Sequence, residues 1–440
     1  MDWSSQAALS LPKQLRAIIV AAIGFAVLYA CSRAAAQGNE PAISRNVKDF
    51  GAMCNGSHDD THSIQDALIA ARRANPIFKV TIPSNCVTAM LAIGSNQWIE
   101  FEEGATLRAL PGGFRDKTSP MFSVGGENIT IKGHHATLTM NREEYTDGEW
   151  RAGVYIYQAS NVYIDNLKVV GAGGDGFTIK GIKTPENITL VNVVADKCVR
   201  NGISIISGRN VTIRGATLTN TDQNGRGAGT HGPWAGLDVE PNNDPGEVLD
   251  NISLEDLHTN GNAGAGLQFT LHNMPSTTIK VTNFRSEYDG RNGHGVGLYF
   301  GGILFDSGGL NPSQPVKGQI LIEGARIVSP NGSGVLWRSW SANQPKTVFR
   351  NTIIENPGAQ TGNMNRCGLY YNVRDTSFSA KYQPGAHLNV EVDGLVVKDP
   401  NRRLVRAVWM EGDAQHPLQA DVKNVQEEGS ASARVQLKLR

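Results

Sequence analysis

The chain has 440 residues, enough for one large domain or two ordinary ones. Its 41 basic and 41 acidic side chains cancel, which argues against nucleic acid as a partner, since a basic excess is the usual footprint of such binding. The 49 glycines, set between short Val/Ile runs, point to an all-β chain with frequent turns.

The first stretch reads as a targeting segment. Lys13 and Arg16 precede an apolar run from Ala17 to Ala30, and Ala34-Ala35-Ala36 offers a small-residue cleavage site before Gln37. The run is short for a membrane span. Residues 1–36 are therefore expected to be a signal peptide, with the mature chain periplasmic or secreted and free of the membrane. Leu28-Tyr29-Ala30-Cys31 resembles a lipoprotein cleavage box, with Tyr29 a poor fit. An outer-membrane lipoprotein lipidated at Cys31 and an uncleaved anchor are the alternatives. Four cysteines follow, Cys54, Cys86, Cys198 and Cys367, and an oxidising compartment allows disulfides. Cys54 and Cys86 flank one N-terminal segment and are the expected pair. Cys198 and Cys367 are expected to be buried thiols. No cysteine spacing suits zinc.

Residues 46–75 combine a short strand ending in Asp49-Phe50-Gly51-Ala52 with a helical stretch from Asp59-Asp60-Thr61. Asp59 or Asp60 is placed to cap that helix. Ile64, Ala67, Leu68 and Ala71 form its apolar stripe at i, i+3, i+4 and i+7, and Asn75-Pro76 ends it. This pairing resembles the start of the pectin-lyase-like proteins, most of all the rhamnogalacturonase or epimerase-like pectate lyase group. The resemblance implies a single right-handed parallel β-helix whose N-terminal end is closed by the helix.

Internal repeats follow. Glu127-Asn-Ile-Thr-Ile, Asn161-Val-Tyr-Ile, Glu186-Asn-Ile-Thr-Leu, Asn210-Val-Thr-Ile and Asn251-Ile-Ser-Leu share one half-pattern. The Asn-x-Ser/Thr triplets at Asn128, Asn187, Asn210 and Asn251 accordingly read as strand starts, not glycan sites. A second strand in each repeat opens at glycine: Gly153, Gly176, Gly202, Gly236, Gly266, Gly297, Gly334 and Gly368. The shortest spacings match one coil of a β-solenoid, which buries its apolar face only by stacking on its neighbours. The helix domain is expected over residues 37–410. Residues 411–440, more polar and without the repeat, read as a cap or tail.

Strand alternation then sorts the side chains. The second and fourth residues of each glycine-led strand point inward; the third and fifth point outward into columns. Those columns hold Tyr155/Tyr157, Thr178/Lys180, Ser204/Ile206, Asp238/Glu240, Gln268/Thr270, Tyr299/Gly301, Leu336/Arg338 and Tyr370/Asn372. Together they make an exposed strip roughly 35 Å long, enough for several sugar rings. Its centre is Trp234-Ala-Gly-Leu-Asp-Val-Glu-Pro-Asn242, where Asp238 and Glu240 share a face roughly 6.5–7 Å apart at the backbone. A glycine-rich loop brings Asp222, Arg226, His231 and Trp234 to them. Asp175, in the turn Gly173-Gly-Asp-Gly176, is a further candidate, although an aspartate in a turn is more often structural. Gly293-His294-Gly295 resembles the G-H-G of the polygalacturonases, but that family's N-T-D and paired aspartates have no counterpart here, so His294 is a lesser candidate.

Three functions fit. In a glycoside hydrolase Asp238 and Glu240 would be acid and base or nucleophile, with the backbone spacing suiting the inverting geometry, and Lys180, His231 and Asp175 supporting them. A polysaccharide lyase or uronate epimerase needs a base and a cation at the substrate's carboxylate, from Lys180, His231, Arg226 or Arg338. Asp238, Glu240, Asn242 and Asp244 would then bind Ca²⁺, whereas the hydrolase needs no cofactor. A non-catalytic sugar-binding β-helix is the third. Hydrolysis is favoured, with a polysaccharide as partner, uronate-containing in the lyase case. Tyr155, Tyr157, Thr178, Ser204, Trp234, Gln268, Tyr299, Arg338 and Tyr370 would contact it.

Overall fold

The computed structural model describes residues 40–145, 148–222, 232–242, 244–271, 274–291, 301–306, 314–338, 340, 343–359, 366–372, 389–412, 418–429 and 435–438. Across these residues the chain winds into a parallel β-helix. A twelve-stranded parallel sheet runs from Leu91–Ile93 to Val435–Lys438, each strand hydrogen-bonded to the matching strand of the coils before and after it. A twenty-stranded parallel sheet carries the other half of each coil. Leu237, Val239, Leu267, Phe269, Ile303 and Phe305 enter the core from the twelve-stranded sheet, as the alternation predicts.

The leading glycines have a physical reason. A Cβ on Gly236 would lie 2.6 Å from the Gly266 carbonyl oxygen and 2.7 Å from Thr259 Cγ2, and one on Gly202 would lie 2.5 Å from the Gly236 oxygen. Neighbouring coils approach too closely there for any side chain. The Asn-led starts also stack. Asn96, Asn128, Asn161, Asn187, Asn210 and Asn251 all have φ between 52° and 59°. Each after Asn96 donates its amide to the previous asparagine's oxygen, at 2.7–3.0 Å. Asparagine tolerates the left-handed backbone and supplies both donor and acceptor.

The helix Thr61–Arg73 closes the N-terminal end, with Ile64, Ala67, Leu68 and Ala71 buried. Gln65 pairs with both backbone groups of Ala92 at 2.9 and 3.0 Å, occupying the free edge of the first strand of the twelve-stranded sheet. Asp59 makes the capping contact, accepting from Thr61 N and Thr61 Oγ1. Asp60 turns inward to accept from the backbone amides of Met53, Cys54 and Val87. Cys54 and Cys86 form the disulfide, and Cys198 and Cys367 are buried thiols.

Three readings change. The coil after Leu267–Thr270 contributes Ile303–Asp306, led by Gly302, to the sheet. Leu304 and Asp306 therefore stand in the columns in place of Tyr299 and Gly301. Strands Gln419–Glu428 and Val435–Lys438 carry the coil pattern into the segment read as a cap or tail. The outward strip is also largely covered. Leu304, Leu336, Cys367 and Tyr370 form a second buried apolar cluster on the outer face of the sheet, with Trp409 packed against it. Tyr370 and Leu336 are thus core residues of that cluster, not an exposed sugar platform.

Candidate functional site

Asp238 lies mid-strand in Leu237–Val239 and Glu240 at its end. The register places Asp238 between Ser204 of the previous coil and Gln268 of the next. Both carboxyls face away from the core, as predicted, but Asp238 is 1% exposed, contrary to the expectation of a solvated residue. The Glu240 side chain is 28% exposed. The reason for the burial is Arg200, which sequence reasoning did not single out. Its guanidinium donates to Asp175 at 3.1 Å, to Ser204 Oγ at 3.4 Å and to the Gly232 carbonyl at 3.3 Å. It also comes within 3.8 Å of Glu240. Asp175 is fully buried and accepts from Thr178 Oγ1 at 3.1 Å and the Asn201 amide at 3.0 Å. The Asn201 side chain donates to Ser204 at 3.0 Å and reaches Asp238 Oδ2 at 3.5 Å.

This packing dictates the charge state. Burial pushes the Asp238 carboxyl well above the usual carboxylate range. The neighbouring charge of Glu240, a hydrogen bond between the two carboxyls and the charge of Asp175 add to the rise, and Arg200 offsets only part of it. Asp238 Oδ1 has no donor among the described residues. Burial alone would lower the Arg200 pKa, but Asp175, Asp238 and Glu240 outweigh it and hold the guanidinium charged.

Three coils before Asp238 in the same sheet lies an aromatic platform. Tyr155 and Tyr157 stack at 5.6 Å, and Trp150 meets Tyr155 edge-on at 6.3 Å. Lys180, paired with Tyr157 across the ladder, sets its ammonium 4.5 Å over the Trp150 ring and 3.6 Å from Asp244. Burial raises the Tyr155 phenol to about 12.

The predicted residues therefore divide. Asp175, Thr178, Ser204, Asp238 and Glu240 meet in one network, with Lys180, Tyr155 and Tyr157 beside it and Trp234 half-buried at the loop end. Gln268 is buried against Thr270 at 2.8 Å. Arg338 is committed to Asp306, which it grips with Nε at 2.8 Å, further along the ladder. Asp306 was missed with its strand. His231, Tyr299, Arg226 and His294 lie outside the described residues. Arg200 and Asn201 had a readable signal, since they precede Gly202 where Asp175 precedes Gly176. The proposed Ca²⁺ donors are not gathered: Asp244 faces Lys180, whereas Arg200 occupies the cationic position beside Asp238 and Glu240. Among the described residues only Cys54, Asp60 and Cys86 cluster as metal donors would, and both thiols are in the disulfide.

Comparison with known proteins agrees with this architecture. The family described as right handed beta helix region matches residues 67–244. The N-terminal fragment of bacteriophage Phi29 gene product 12 superposes with a TM-score of 0.62 at 16% identity, covering 89% of this chain and 64% of that one. The Streptococcus pneumoniae surface protein and adhesin PfbA gives 0.53 at 15%, covering 90% and 99%. The A-module of the Azotobacter vinelandii mannuronan C-5 epimerase AlgE4 gives 0.52 at 15%, covering 89% and 97%. The chain is thus an all-β, right-handed parallel β-helix closed at its N-terminal end by a helix. In sequence it is 26% identical over 257 residues to the uncharacterized protein YclG of Bacillus subtilis (strain 168), a match spanning 50% of this chain and 42% of YclG.

Proposed function

We propose that the protein is an exported polysaccharide-cleaving enzyme that hydrolyses glycosidic bonds at the Asp238–Glu240 pair. The observation that carries this reading is a buried carboxyl, Asp238, beside a partly exposed one, Glu240, with an aromatic platform three coils along the same sheet. Hydrolysis needs a proton for the leaving oxygen and a carboxylate for the anomeric centre. Burial and the neighbouring Glu240 raise the Asp238 pKa, which suits a proton donor, and Glu240 is partly open to solvent. Arg200, locked by Asp175, fixes the position of the pair, and the tyrosines offer faces to the sugar rings. The disulfide and the charged, then apolar, N-terminus support export.

Lyase or epimerase chemistry is the second reading. It is favoured by two cations, Arg200 and Lys180, near the pair and by the likeness in fold to the mannuronan C-5 epimerase module. A non-catalytic binding role is the third, since the same fold serves an adhesin. Purified protein should be screened on neutral and acidic polysaccharides. New reducing ends without an unsaturated-uronate absorbance are expected. An unsaturated product or an altered uronate epimer would replace the hydrolase reading with the second. No change in any substrate would leave only binding.

A further inference from the structure

Beyond Glu240, we propose, lies a subsite that takes an uncharged sugar unit of the bound chain; this rests on the reading of Asp238 and Glu240 above. The backbone leaves Glu240 through Pro241 and turns back at Val248. Between this turn and Met274-Pro275 of the next coil is a cavity of about 550 Å³. That volume is in the range of small-ligand sites. Its walls divide by chemistry. Pro241, Pro245, Met274 and Pro275 are apolar and suit the C–H face of a pyranose ring. Asp244 and Glu247 are the carboxyl groups of the lining.

Glu247 is held for this task. Its Oε2 accepts from the backbone amides of Asn242 at 2.6 Å and Asp244 at 3.2 Å, which fixes the side chain. Its Oε1 is buried and has no partner among the described residues, leaving an acceptor for a sugar hydroxyl. Burial, and then the charge of Asp244, raise the Glu247 pKa although the two amides oppose this. Asp244 also meets Lys180, so the cavity shares a residue with the aromatic platform. A uronate here would bring its carboxylate against two carboxyl groups with one lysine to offset them. A hydroxyl would instead complete the bonding of Glu247. The class of sugar that fits is therefore neutral.

The test uses full-length Asp238→Asn protein and calorimetric titration with xylo-, cello-, manno- and arabino-oligosaccharides, against oligogalacturonate and oligomannuronate. At least one neutral series should bind more tightly than either uronate. Met274→Trp, which fills the cavity, should weaken it by tenfold or more with an unchanged circular-dichroism spectrum. Glu247→Gln should keep neutral binding and narrow the discrimination against uronates. Uronates binding as tightly as neutral sugars, or neutral binding indifferent to Met274→Trp, or no binding by any series, would overturn the subsite. Turnover by Asp238→Asn is measured separately. If it is lost while binding ignores Met274→Trp, the catalytic reading stands and the subsite falls.

Discussion

Strand alternation turns Asp238 out of the core, and Asn201 of the preceding coil reaches over it, so that it is buried on the outer face of the sheet. Asp238→Asn should fold because it removes a charge that burial disfavours, not because the site is exposed. Asp238→Asn and Glu240→Gln should each lower turnover by about 10²–10⁴-fold, as expected for acid–base groups. Wild-type turnover in both, on a verified substrate, would move the chemistry elsewhere. Arg200→Met should be worse for the fold than either, since it leaves Asp175 buried without its cation. Breaking such a pair costs about 3–5 kcal/mol. Denaturant midpoints of the three variants would rank them, and an Arg200→Met midpoint equal to wild type would refute the structural role given to the pair.

At the scale of elements, most of the architecture was legible because each coil repeats the same steric demand. A leading glycine lets one backbone approach the next, and an asparagine start joins a ladder. The strand at Ile303–Asp306 was misplaced because Gly297-Leu-Tyr-Phe and Gly302-Ile-Leu-Phe satisfy the same pattern a few residues apart. Alternation cannot choose between two such matches; pairing with Leu267–Thr270 and Val335–Arg338 does. The strip was judged exposed for a related reason. Leu304, Leu336 and Tyr370 are outward in their strands yet buried together, and outward does not mean wet when the column is apolar. The N-terminal cap is legible and also testable. The disulfide links residues 32 apart and ties the strand Cys86–Thr88 to the segment leading into the helix. Cys54→Ser with Cys86→Ser should destabilise the protein by about 2–5 kcal/mol, chiefly by freeing the unfolded chain. A reductant should lower the wild-type midpoint and leave the double variant unmoved. An unchanged midpoint in both would show that the cap does not depend on the link.

For the whole molecule, two sets of acids pull stability in opposite directions with pH. Asp289 is buried beneath the turn of its coil, and burial raises it to about 6, even though Thr259, Asn262 and Ser286 donate to it. Asp238 is raised as well, by burial and by Glu240. A raised acid binds more protons in the folded state than in the unfolded one, so stability falls as pH rises through its folded pKa. For Asp289 the shift of about two units corresponds to roughly 3 kcal/mol between pH 4 and 7. Asp60, Glu100, Glu287 and Glu391 have the opposite sign. Burial works against ionisation in the first three, but hydrogen bonds outweigh it: His58 and backbone amides at Asp60, Lys79 and His134 at Glu100, Arg285 and His258 at Glu287. Lys346 and Arg350 lower Glu391 directly. Their stabilisation is present above the unfolded carboxylate range and is lost as pH falls through their depressed values. The urea midpoint should therefore rise from pH 7.5 to about 5.5 and fall again below about pH 4. Asp238→Asn removes one titrating acid, so its midpoint should gain on wild type as pH rises from 4 to 7.5. A wild-type midpoint that falls steadily from pH 7.5 to 5.5, or a variant that gains nothing on the alkaline side, would show that the buried acids do not carry the strain assigned to them.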